Sequence, residues 1–200
     1  MKKILYSFYI NAHFLITKYL LPPLIFVIAV TALIILADLI KHKGKSGLEA
    51  IKNKRLYLLS VFCFLLYCSV IISSTVTSRF RLGAQEPFSD VFGGWGFTET
   101  KYFYDFSPMW NVIMFLPACA LIYFFIKSAL KKAVSDKGLM IVSTCFGFGF
   151  SLIIENLQIL TKTGTFQFSD LFYNTLGALL GAIIFIFIKK RISNKKHLKA

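Results

Sequence analysis

Two carboxylates and two amides stand inside stretches of sequence that are otherwise apolar. Glu155 and Gln158 lie in GFGFSLIIENLQIL, and Asp170 and Asn174 lie in SDLFYNTLGALLGAI. A carboxylate can accept or deliver a proton, and an amide can fix a hydroxyl, phosphate or carboxylate by hydrogen bonding. Ionisable groups are expensive within a run long and apolar enough to cross a membrane, so by default they mark a functional site. The competing reading is inter-helix glue, in which the same groups only bind one helix to the next. Asp170 has a further structural reading, as an N-cap favoured by the helix dipole.

Spacing gathers these residues into two stripes. Gly147, Ser151, Glu155 and Gln158 recur at intervals of 4, 4 and 3, which places them on one helix face. Asp170, Asn174, Gly177 and Gly181 recur at intervals of 4, 3 and 4, again one face. Gly177 and Gly181 have the small-xxx-small spacing that lets helices approach closely, and Gly147 and Ser151 have the same packing character. The connection is short, so the two helices are expected to be antiparallel neighbours with their stripes facing. That pairing sets Gln158 near Asp170, Glu155 near Asn174 and Gly147 near Gly181. Arg79, closing an earlier apolar run, and Asn111, opening another, are expected at the same level. Arg79 could pair with Glu155 or Asp170 and lower the cost of a buried charge.

Helices that cross a membrane must position these groups. The chain has 200 residues and is 56% apolar, with a mean hydropathy of +0.68. Its apolar runs reach the roughly 17–25 residues that a bilayer crossing requires. They are continuous rather than alternating, which fits helices and not barrel strands. The expected fold is an all-α polytopic transmembrane bundle. Its spans fall at about 24–40, 56–77, 110–127, 138–160 and 171–188. Pro22 and Pro23 precede the first. Residues 1–20 read as an amphipathic helix lying in the interface, with a sixth span as the alternative. Residues 21–200 then form a single membrane domain.

Charge orients the bundle. Residues 41–55, 127–137 and 189–199 hold 16 of the 23 basic residues. With five spans all three segments fall on one side, which the positive-inside rule makes cytoplasmic. The polar cluster then lies in the outer leaflet, on the extracytoplasmic side of the cell membrane. The same clustering beside apolar runs explains the net charge of +14 by topology and anionic lipid, with no nucleic-acid partner. The long connection 79–109 is too aromatic for a solvated loop and is expected on the interface or over the helix ends. Cys63, Cys68, Cys119 and Cys145 read as packing residues. No metal or cofactor motif is present, His13, His42 and His197 are far from the cluster, and no GxSxG elbow occurs.

The pattern Glu155-x-x-Gln158, followed by GTFQFSD ending at Asp170, Asn174, Gly177 and Gly181, resembles the signature of VanZ-like membrane proteins. Asn111 with Phe115-Leu116-Pro117, and Pro87-Phe88 in the long connection, are similar to further family segments. The resemblance spans about 55–188. It departs at Ala118, where a bulky residue then Gly is common, and in lacking Asn-Leu before Pro87. It implies a bacterial cell-envelope role associated with resistance to glycopeptide antibiotics, teicoplanin above all.

Joined to the residues, the resemblance gives a non-enzymatic expectation. The outer-leaflet cluster Arg79, Asn111, Glu155, Gln158, Asp170 and Asn174 binds membrane lipid, a lipid-linked cell-wall precursor or the glycopeptide, and so alters antibiotic access. The alternative is an intramembrane enzyme acting on a lipid or isoprenoid, with Glu155 and Asp170 as an acid/base pair. A transporter is disfavoured by the few spans and the lack of an inverted repeat. Oligomeric state is not legible in the sequence.

Overall fold

A computed structural model describes residues 19–42, 45–77, 86–96, 98–99, 104–105, 107–130 and 134–197. Residues 1–18 of the segment 1–20, expected as an interfacial helix or extra span, lie outside the described residues, and so does Arg79. Among the described residues five helical paths are long and apolar enough to cross a membrane: Leu21–Lys41, Lys54–Thr75, Pro108–Ala129, Asp136–Thr161 and Phe168–Asn194. The chain is an all-α multi-pass membrane protein. Strand pairing among the described residues is confined to β1 (Thr98–Glu99) and β2 (Tyr104–Asp105), a two-residue antiparallel ladder.

The chain forms two compact units, Met1–Arg81 and Leu82–Ala200. The first contains α1 (Leu21–His42) and α2 (Lys45–Thr75). Pro22 and Pro23 lie inside the first turn of α1 rather than ahead of it. That turn has no intrahelical partner for its N–H groups, so proline costs little there. The basic segment 41–55 is largely helical, because α1 runs to His42 and α2 begins at Lys45. Lys54 Nζ and Asp38 form an ion pair of 3.0 Å between these helices.

The second unit is built around its last helix. Its elements are α3 (Ser107–Phe115), α4 (Ala118–Leu130), α5 (Asp136–Thr161) and α6 (Phe168–His197). The third span, expected as one helix over 110–127, is broken between α3 and α4. Pro117 has no N–H to donate to Ile113, whose carbonyl accepts from Leu116 in a tighter turn (3.3 Å). The helix resumes with Leu121 N–H donating to the Pro117 carbonyl (3.2 Å). Helix α6 packs on α3, α4 and α5 together. Phe115, Cys119, Ile122, Leu139, Ile154, Ala178 and Ala182 fill the interior.

Capping fixes both ends of α5. Ser135 accepts from the Gly138 N–H through its side chain at 3.1 Å. At the other end Thr163 N–H donates to the Gln158 carbonyl (2.9 Å) and Lys162 N–H to that of Ile159 (3.1 Å). These are the two bonds of a Schellman motif, with Lys162 in the left-handed position at φ 55°. Residues 162–167 then carry the chain into α6, giving the antiparallel hairpin that the short connection requires.

Candidate polar site at the end of the hairpin

Glu155 is 1% exposed, about two turns from the end of α5. Its Oε2 accepts the backbone N–H of Gln167 at 3.0 Å, immediately before α6 begins. A helix start offers unpaired N–H groups and the positive end of a dipole, both of which favour a carboxylate. The charge that was costly in isolation is therefore held where the backbone can meet it.

Asn174 and Ser151 form the next layer. Asn174 Nδ2 donates to Ser151 Oγ at 2.8 Å, with the two residues 4% and 0% exposed. Asn174 Oδ1 is buried and has no hydrogen-bond partner among the described residues. Such an acceptor has lost water without regaining a donor, a penalty of about 1–3 kcal/mol. Asp170 lies in the first turn of α6 and is not its cap. Its Oδ1 accepts from Asn111 Nδ2 on α3 at 2.7 Å, which ties the third span to the start of α6. Gln158 is 1% exposed in the last turn of α5, where its carbonyl serves the Schellman motif.

The stripes do not face each other in the expected register. Glu155 meets the Gln167 backbone rather than Asn174, and Asn174 meets Ser151, about one helical turn deeper. Helix α6 starts at Phe168, three residues before the expected 171, and its extra turn carries Asn174 inward. Gly147 does not face Gly181. A Cβ on Gly147 would come within 2.5 Å of the Ala178 Cβ. A Cβ on Gly177 would overlap the Val112 carbonyl oxygen, and one on Gly181 that of Leu116. The glycine pair thus seats α6 against the broken third span, while Asn174 and Ala178 seat it against α5.

Residues 86–96 of the long connection lie across this end of the unit. Phe166 N–H donates to the Pro87 carbonyl (2.8 Å) and Phe168 N–H to that of Val91 (3.1 Å). Gln167 Nε2 donates to Asp90 at 2.6 Å, and Ser169 Oγ donates to the Gly93 carbonyl at 2.7 Å. Trp95 packs against the rings of Phe172 and Tyr173, at 5.5 and 5.8 Å. Gly94, at φ 75°, turns where a Cβ would crowd Ser169 Oγ.

Gln167 is the residue that spacing alone passed over. Its backbone holds Glu155 and its side chain holds Asp90, so it ties the helix, the hairpin turn and the strap together. It sits in GTFQFSD, the stretch that carries the family resemblance, yet outside both helical stripes. Chemically the site offers two carboxylates, Glu155 and Asp170, and three amides, Asn111, Gln158 and Asn174, around a helix start. Among the described residues no group of three or more His, Cys, Asp or Glu could hold a metal ion.

The family model VanZ/LLP1 matches residues 55–189, more than half of the chain, with α3 to α5 whole and most of α2 and α6. No curated protein and no solved structure matches the chain.

Proposed function

The chain belongs to the VanZ/LLP1 family, and from that premise we propose that it acts in the cell envelope as a lipid-recognising membrane protein. Its hairpin-end cluster binds the polar head of a lipid or of a lipid-linked cell-wall precursor, and so changes susceptibility to glycopeptides such as teicoplanin. The observation that carries this reading is Glu155. It is a buried carboxylate held on a helix start, one turn from an amide whose oxygen has no partner among the described residues. A cluster needed only as glue would be expected to satisfy its own acceptors.

The positive-inside rule supports an extracytoplasmic position for this end, because the basic segments 127–137 and 189–199 flank the other ends of the helices in this unit. Lipid-linked precursors and glycopeptides meet on that face. Glu155 and Asp170 supply charge and acceptors, while Asn111, Gln158 and Asn174 supply amide groups for hydroxyls or phosphate oxygens.

Deletion of the gene in its host, with complementation by the intact chain, tests the proposal. The inhibitory concentration of teicoplanin is expected to fall on deletion and return on complementation. An unchanged concentration in the deletion strain contradicts it.

A further inference from the structure

The end of the second unit opposite the hairpin carries a charge arrangement that the proposed site does not use. Three helices converge there through Tyr123 and Lys127 of α4, Asp136 of α5, and Lys189 and Lys190 of α6. Lys189 Nζ contacts Asp136 Oδ1 at 2.6 Å, and Lys190 Nζ contacts Oδ2 at 3.3 Å. Lys189 Nζ also lies 5.4 Å from the centre of the Tyr123 ring, and Lys127 Nζ lies 5.7 Å from the same ring. Among the described residues Lys127 has no carboxylate partner. One aspartate therefore stands against three lysines, two of which share one aromatic ring.

The ring attracts both cations but leaves their charge uncompensated. An anion can compensate it. The neighbouring surface indicates what carries it, because exposed Phe124, Phe187 and Ile188 lie on the same helices toward the bilayer interior (56%, 58% and 49% exposed). Basic pockets between transmembrane helices at a headgroup level suit anionic lipids.

We propose that this end binds one anionic phospholipid. Lys127, Lys189 and Lys190 take the phosphate, Tyr123 holds two of the ammonium groups in place, and acyl chains lie along Phe124 and Ile188. This inference is independent of the hairpin-end reading. It involves residues at the opposite end of α5, a helix of 26 residues and so about 39 Å long.

Native mass spectrometry of the purified full chain tests it, with phosphatidylglycerol and phosphatidylcholine of matched acyl chains as probes and free glycerophosphate as competitor. Phosphatidylglycerol is expected to bind at least about tenfold tighter than phosphatidylcholine. The double variant Lys127→Gln/Lys190→Gln, which keeps the Lys189–Asp136 pair, should lose about tenfold or more of that affinity. Lys41→Gln/Arg55→Gln, removing the same charge from the first unit, should keep it. Equal retention of the two lipids, an equal loss in both double variants, or displacement by glycerophosphate overturns the proposal. Should the first double variant aggregate, Lys127→Gln alone is decisive: a loss of about threefold supports the site, and unchanged affinity removes it.

Discussion

Glu155 and Gln167 are joined at 3.0 Å, the carboxylate near the end of one membrane helix accepting the backbone N–H just ahead of the next. This contact gives the carboxylate a structural duty as well as a candidate functional one, and the two are separable. Glutamine at 155 keeps an oxygen to accept the Gln167 N–H but carries no charge. Alanine keeps neither. Glu155→Ala is expected to lower stability by about 1–3 kcal/mol, the cost of a buried donor left unpaired. Glu155→Gln should lower it by much less. Thermal unfolding of both purified variants in the same detergent checks the difference, and equal losses would mean that the charge itself holds the hairpin.

Gly181 and Gly149 occupy the two adjacent helices but meet different surroundings. A Cβ at Gly181 would overlap the backbone of Leu116, whereas one at Gly149 would meet nothing within 4 Å. Gly181→Ala is expected to cost about 1–3 kcal/mol, because a backbone has to move aside. Gly149→Ala should be neutral or stabilising by up to about 1 kcal/mol through helix propensity. The midpoint of thermal unfolding should therefore fall for the first variant and hold or rise for the second.

The Asn111–Asp170 bond of 2.7 Å connects the third span to the start of the last helix. A double-mutant cycle with Asn111→Ala and Asp170→Ala should give a coupling energy of about 0.6 kcal/mol and no more than about 1.7 kcal/mol, the mean and maximum for hydrogen bonds between membrane helices. Strict additivity of the two losses would show that the bond contributes nothing to stability.

Helical spacing made several features legible. The five spans follow from apolar length, and Asn111 reaches Asp170 because each sits at the same end of an apolar run. Spacing failed where one helix has several neighbours. Asp170, Asn174, Gly177 and Gly181 share a face broadly, but α6 packs on three helices, so that face is divided between them. Gly177 and Gly181 fell to the third span and Asn174 to α5. A periodic pattern states an angle around a helix and not the identity of the neighbour at that angle. The proline itself signals the break at Pro117, but the continuously apolar flanks read as one span. The strap at 86–96 was legible only as an excess of aromatic residues. Its hydrogen bonds to Phe166 and Phe168 are backbone to backbone, and no side chain announces them.

A hairpin-end cluster that acts on a ligand differs from mere glue between helices in what loss of the Glu155 charge does to function. The most direct measurement is the teicoplanin inhibitory concentration of a deletion strain complemented with Glu155→Gln, taken beside the amount of the variant in the membrane. Normal membrane abundance is expected, with the inhibitory concentration remaining at the deletion level. Full restoration of tolerance by Glu155→Gln at normal abundance would contradict it.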